Sequence, residues 1–204
     1  ALTLEDADAL ISTAEEEGVT LAVVFQNRFN PTVQELRRAL EQGRFGKLTH
    51  GNAAIRWTRG QDYYDSGSWR GTWALDGGAF MNQSIHNIDL LQWMLGPVQK
   101  LGAFTATALR NMEAEDVGAA VLHFANGSIG IIEAATTIYP DNLEETRGIF
   151  GESGTAVIGG VAINQMRYWR FADGLDNEDE VLRAHTSPEP STVYGLGHRP
   201  LLKN

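Results

Sequence analysis

An amide, an imidazole and a carboxylate stand at Asn82, His86 and Asp89 within the stretch DGGAFMNQSIHNIDLLQWMLG, residues 76 to 96. At ~100° per residue a helix brings these three positions within an arc of roughly 60°, so their side chains are expected to converge. An imidazole titrates near pH ~6.5 and can take or give a proton under physiological conditions. Asn82, one turn earlier, has the groups to orient a hydroxyl or carbonyl. Asp89, one turn later, has a carboxylate to fix the imidazole tautomer, or to bond backbone instead. The competing reading is a core histidine satisfied by Asp89 or a carbonyl. His86 and Asp89 also have the i, i+3 spacing of two metal ligands, with His50 or His123 as further candidates, but no second paired ligand motif accompanies them.

The preceding loop, TRGQDYYDSGSWRGTWAL at 58–75, adds Arg59, Tyr63, Tyr64, Trp69, Arg70 and Trp73, with Arg56 just upstream. A planar guanidinium grips carboxylate or phosphate through its fork, and aromatic faces cover sugar rings. The mix suits a polar, ring-shaped, anionic ligand; the alternative is that Trp69 and Trp73 anchor a long loop to the core. QNRFNP at 26–31 supplies Asn27 and Arg28, either to line a cleft or to secure a hinge. No G-x-G-x-x-G occurs: GLG at 195–197 runs into His198-Arg199-Pro200, so the pyrophosphate-binding turn of a dinucleotide fold is missing from the chain. Walker A and H-E-x-x-H motifs are missing too.

These residues need elements to hold them. Met81, Ile85, Ile88, Leu91 and Leu95 form an apolar stripe with the spacing of a buried helix face, so one helix is expected behind Gly77-Gly78, ended by Gly96-Pro97. Thr3 caps an expected first helix closed by Gly18, and VTLAVVF at 19–25 reads as a strand covered on both faces. A second helix is expected over 31–43. KLTHGNAAIRW (47–57), VQKLGAFTATALR, DVGAAVLHF, TRGIFGE, GTAVIGG and QMRYWRFAD read as strands, and Asn126-Gly127 marks a hairpin. The polar stretch at 174–197 reads as a long surface excursion. Strands in succession after one helix predict an α+β domain: an open-faced, mostly antiparallel sheet with helices on one face, preceded by a helix-strand remnant of a Rossmann-type domain. Phe104, Phe150, Tyr168, Trp169 and Phe171 on the strands suggest a subunit interface.

With 204 residues, 43% hydrophobic and 21% charged, the chain has the make-up of an ordinary folded protein with a substantial core. A net charge of -10 with no Lys/Arg run argues against nucleic acid and anionic membrane as partners. Zero cysteines exclude disulfides, thiolate metal sites and cysteine nucleophiles. No apolar run reaches the ~20 residues of a membrane span and the acidic start is no signal peptide, so a cytoplasmic protein is the default expectation. The first residue is not Met, and RPLLKN ends on what reads as the first turn of another helix, so both termini are expected to be cut from a longer protein.

GGAFMNQSIHNIDLLQWMLG, with SWRGTWALD and FQNRFNP before it, resembles the carboxyl-terminal part of the glucose-fructose oxidoreductase, inositol dehydrogenase and MocA family, and within it enzymes that oxidise the 3-hydroxyl of UDP-linked aminosugar uronates. The resemblance spans nearly the whole chain, and Gly77, Gly78, His86 and Asp89 are its most specific element. It implies an upstream nucleotide-binding domain holding NAD or NADP and a Glu-Lys-Pro lysine, with residues 1–27 as that domain's tail. Residues 28–204 would then bind substrate and assemble dimers or tetramers through the sheet face, with their last helix cut away. By resemblance His86 is the acid/base. Asn82 stands where many members have aspartate, and an amide there would bind substrate rather than relay a proton. Asp89 supports His86, and Arg28, Trp69, Arg70 and His198 are further candidates for contact with a sugar or nucleotide-sugar. A fragment of this kind would be inactive alone and hold no coenzyme tightly. Two alternatives stand beside this reading: a non-catalytic ligand-binding or assembly module of the same fold, and a metal-dependent hydrolase.

Overall fold

The computed structural model describes residues 3–186; His198 and the RPLLKN end lie outside the described residues. Seven strands form one sheet in the order β2-β3-β4-β1-β5-β6-β7. In chain order these are β1 (Leu48–Arg56), β2 (Val98–Ala106), β3 (Val117–Phe124), β4 (Ile129–Ala135), β5 (Glu144–Gly151), β6 (Gly154–Gly160) and β7 (Gln165–Phe171). Every neighbouring pair is antiparallel except β1 with β4, which run parallel at the centre. The α+β architecture expected from the strand succession is the one observed, and Asn126-Gly127 turns the β3–β4 hairpin with Gly127 at φ 86.

Alternation along the strands decides which face is core. Ala120, Leu122 and Phe124 of β3 and Ile132 and Ala134 of β4 point to the helical side, whereas Val121, His123, Ile129 and Ile131 lie on the other. The short α3 (Gln61–Asp65) lies in sequence between the main helices α2 (Pro31–Glu41) and α4 (Ile85–Leu95), and α2 and α4 cover the buried face through Val33, Leu36, Leu90, Leu91 and Leu95. Each of these apolar side chains contributes about 1.5–3 kcal/mol by leaving water. Gly51 of β1 lies under Leu95, where an added Cβ would come within 3.0 Å of Leu95 Cδ1, so the missing side chain lets α4 settle on the sheet centre. The opposite face carries exposed Phe104, Val121, Ile131 and Tyr168, with His50 stacked on Phe150 at 4.3 Å.

Three expectations change. Residues 19–25 form no strand: Val19, Val23 and Val24 are exposed, because a strand needs a hydrogen-bonding neighbour and none of the described strands lies beside them. The preceding helix α1 (Leu4–Glu16) does form, with Thr3 and Asp6 exchanging both bonds of a capping box. The polar excursion contains a helix, α5 (Glu178–Ala184), whose Glu178, Asp179 and Glu180 sit in the first turn where carboxylates suit the helix dipole, while Val181 and Leu182 pack on the core. Finally, the helix expected over 76–96 is broken in two, with consequences for the site.

Candidate active site

The break lies at Ser84. Residues Ala79–Gln83 form one π-helical turn closed by Ser84 N donating to Ala79 O at 2.9 Å, and α4 begins only at Ile85. Such single wide turns carry an extra residue and recur at functional sites. Here it rotates Asn82 away from the register of a continuous helix. Gly78 starts the turn at φ 70, ψ -154, a region open essentially to glycine alone, and an added Cβ would lie 2.7 Å from Glu115 O. That same carbonyl accepts from Ala79 N at 2.9 Å, and Glu115 Oε1 accepts from Phe80 N at 2.9 Å, so the segment leading into β3 fixes where the turn begins.

Asn82 and His86 open on one cleft of about 350 Å³. Its wall from the 58–75 loop is Arg59, Tyr63, Trp69 and Arg70, its near side is Gln26 and Asn27, and Trp57, Gln83, Asn87 and Glu145 complete it. A larger groove of about 680 Å³ between α1 and residues 19–21 is lined mainly by Ala9, Leu10, Val19 and Leu21 and offers no comparable chemistry. Of the residues singled out from the sequence, Asn82, His86, Trp69 and Arg70 meet at the cleft, as do Asn27, Arg59 and Tyr63.

The polar groups are held from behind. Asp76, buried, receives the Asn82 amide on one oxygen and Gly71 N on the other at 2.6 Å. Gln83 Nε2 donates to Asn82 Oδ1 at 2.9 Å and to Tyr63 OH at 3.0 Å, so the Asn82 amide has one fixed orientation. His86 Nε2 lies 3.3 Å from Gln26 Nε2, and the ring meets Phe25 edge-on at 6.1 Å. Arg70 lies over Tyr63 at 4.2 Å and Trp69 at 4.4 Å, and its Nη1 donates to Tyr63 OH at 2.6 Å. Arg59 lies over Trp57 at 4.8 Å and donates to Thr58 O at 2.8 Å. Among the described residues neither guanidinium has a carboxylate partner, whereas Arg28, Arg44, Arg56, Arg147, Arg167 and Arg170 are all ion-paired.

Asp89 is engaged by Arg28, whose Nε and Nη2 grip its two oxygens at 2.8 and 2.5 Å as a bidentate pair. Arg28 is sandwiched by Phe25 and Trp93, with its proton held more tightly than usual by Asp89 despite partial burial. The pair therefore ties the 3₁₀ turn Gln26–Phe29 to α4 and sets Gln26 and Asn27 against the cleft, and Arg28 itself does not line it. Arg56 and Tyr64 also turn elsewhere, Arg56 to Glu133 and Glu144, Tyr64 to Thr136 in the interior. Trp73 is 59% exposed. For a metal, no group of three His or carboxylate ligands comes together among the described residues, and His50 and His123 lie on the far face of the sheet.

Sequence reading missed the cleft floor. Glu145 and Arg147 of β5 sit on the helical face of the sheet, each under 3% exposed, with Glu145 Oε2 3.6 Å from Arg147 Nη2. Asn87 bridges them, donating to Glu145 Oε2 at 3.1 Å and accepting from Arg147. Burial pushes the Glu145 carboxyl up against the pull of Arg147 and Asn87, and lowers Arg147 to about 10 against the pull of Glu145. The alternation of β5 was the available signal: Glu145, Arg147 and Ile149 share one face, and Ile149 is plainly core.

The GFO/IDH/MocA C-terminal domain profile matches residues 33–157. The chain is 28% identical over 158 residues to the D-apiose dehydrogenase of Paraburkholderia graminis, covering 74% of this chain and 41% of that one. It is 26% identical to the scyllo-inositol 2-dehydrogenase (NAD(+)) of Bacillus subtilis, covering 78% of this chain and 45% of that one. Among solved structures, the WlbA dehydrogenase of Bordetella pertussis, in complex with NADH and UDP-GlcNAcA, superposes with a TM-score of 0.90 at 43% identity over 100% of this chain and 58% of that one. The chain thus spans about half the length of the relatives it matches.

Proposed function

The chain belongs to the GFO/IDH/MocA family, whose C-terminal domain it carries, and on that footing we propose that it is the substrate-binding domain of an NAD(P)-dependent oxidoreductase acting on a sugar or nucleotide-sugar hydroxyl. The observation that carries this reading is the cleft: an imidazole and a fixed amide face two stacked guanidinium groups that have no acid of their own among the described residues, in a chain of net charge -10. His86 takes the proton of the hydroxyl being oxidised, and Asn82 hydrogen-bonds the sugar beside it. Arg59 and Arg70 hold a carboxylate or phosphate while Trp69 and Tyr63 flank the ring. Family relatives are sugar dehydrogenases, and the WlbA dehydrogenase was crystallised with NADH and a nucleotide sugar, which supports the same chemical class here.

The coenzyme, when bound, accepts the hydride. No residue of this chain is assigned to it, since the glycine-rich turn that cradles a pyrophosphate is missing from the sequence. Residues 1–27 are read as the end of a nucleotide-binding domain and 28–204 as the substrate domain. The exposed apolar side chains of Phe104, Val121 and Ile131 on β2–β4, with Tyr168 on β7, suit a homodimer or homotetramer interface in a cytoplasmic enzyme.

NADH and NADPH titrations of this chain and of one extended upstream to the natural start codon test the division, with NAD(P)+ reduction by UDP-GlcNAcA, scyllo-inositol and D-apiose as the activity measure. Nucleotide binding and hydride transfer by the extended protein alone are expected. Tight nucleotide binding by residues 1–204, or no hydride transfer to NAD(P)+ across the panel, would contradict the reading.

A further inference from the structure

The ion pair under the cleft is incompletely satisfied. Arg147 Nε and Nη1 have no hydrogen-bond partner among the described residues, and of the two Glu145 oxygens only Oε2 is engaged, by Asn87 and Arg147. Withdrawing two charges from water costs several kcal/mol per ion, and a pair kept for stability alone recovers this through full hydrogen bonding. Glu145 also lines the cleft together with His86, although the residue as a whole is 2% exposed. A purely structural carboxylate gains nothing by reaching a wall of the cavity that the neighbouring imidazole shares.

We propose that Glu145 is a substrate-contacting, specificity-determining residue: its uncommitted oxygen accepts a hydrogen bond from a hydroxyl or amide N–H of the bound sugar, while Asn87 and Arg147 hold the other oxygen in place. This rests on the sugar reading above and adds a hydrogen-bond-accepting floor opposite the cationic wall of Arg59 and Arg70. The cleft is thereby polarised. A ligand with its anionic group at one end and hydrogen-bond donors at the other has one favourable orientation, whereas the reverse sets its anion against Glu145. Burial raises the Glu145 carboxyl, Arg147 pulls against that rise, and Arg147 is itself backed by Asp89. Asn87 follows His86 directly in the first turn of α4, so the same turn that aims the imidazole also anchors Glu145.

The test is Glu145→Gln in the full-length enzyme, assayed with UDP-GlcNAcA and NAD(P)+. Gln keeps the shape and removes the charged acceptor. KM for UDP-GlcNAcA is expected to rise roughly 10- to 100-fold, the loss of one hydrogen bond to a charged group. The kcat should stay within about threefold, and KM for the nucleotide should not move. Should E145Q fail to fold, Glu145→Asp retains the charge opposite Arg147 but withdraws the oxygen, and the same rise is expected. Unchanged KM in a folded variant would overturn the role of Glu145 alone. A parallel rise in both Michaelis constants would make the residue structural and likewise overturn it. Failure of the unsubstituted enzyme to oxidise UDP-GlcNAcA or any other sugar would remove the sugar reading itself, and this proposal with it.

Discussion

Replacing Gly78 with Ala separates two penalties that the structure makes countable. Gly78 (φ 70, ψ -154) and Gly96 (φ 93, ψ -160) occupy the same glycine-only backbone region. An alanine at either position carries about 1–3 kcal/mol of strain. At Gly96 an added Cβ meets nothing within 4 Å, so strain is the whole effect. At Gly78 it lies 2.6 Å from Glu115 Oε2 and 2.7 Å from Glu115 O. The carboxylate can rotate, but the carbonyl is fixed by its bond from Ala79 N. Overpacking against it adds about 1–3 kcal/mol, bringing G78A to a loss of about 2–6 kcal/mol. Gly102 has ordinary backbone angles and open space, so G102A is expected to gain about 0.4–1 kcal/mol through a less flexible unfolded chain. Urea unfolding of all three should give the order G102A, wild type, G96A, G78A. Because the π turn starts at Gly78, G78A alone should also weaken ligand binding at the cleft. Equal stability of G78A and G96A would refute the argument that Glu115 fixes the start of the turn.

The Arg28–Asp89 fork predicts that Arg28→Met, which strands a carboxylate whose side chain is 8% exposed, lowers urea stability by about 1–3 kcal/mol, and that the double change with Asp89→Asn costs less than the two single changes added together. The pH profile follows from the carboxylates. Arg44 holds Asp173 below its ordinary 3.8, and for Asp176 the bonds from Trp169 and Arg44 outweigh a burial that pushes it up. Lowered folded values mean stability present above the ordinary carboxylate range and lost as pH falls through the depressed ones, so Arg44→Met should flatten the acid limb of an unfolding curve. Glu145, raised by burial, runs the other way: its contribution is full below the unfolded value and is lost as pH rises through the folded one, and E145Q should remove that limb.

Much of the fold was legible because period-2 alternation and the Asn-Gly turn report strands directly, and the helix face of Leu91 and Leu95 reports its own burial. What misled was local pattern without its neighbour. VTLAVVF has a strand's composition and no strand beside it among those described, and EDEVLRA was hidden by acidic residues that in fact favour its first turn. At the site, Asn82 and His86 were legible as chemistry, but the π turn was not, because it arises from the close approach of Glu115 to Gly78, a contact between residues far apart in sequence. Asp89 faced Arg28 for the same reason: its partner lies 61 residues away. The loop's aromatic and arginine content pointed to the cleft wall, while Gln26 and Glu145 carried no motif at all.

The central claim is that His86 does proton chemistry on a sugar held in this cleft. Its most direct measurement is single-turnover hydride transfer from UDP-GlcNAcA by the full-length enzyme carrying His86→Ala, alongside the Kd for the sugar. The account predicts a rate lowered roughly 10²- to 10⁴-fold, the range for loss of a positioned general base, with Kd changed less than about fivefold. Hydride transfer at the unsubstituted rate by H86A would contradict it.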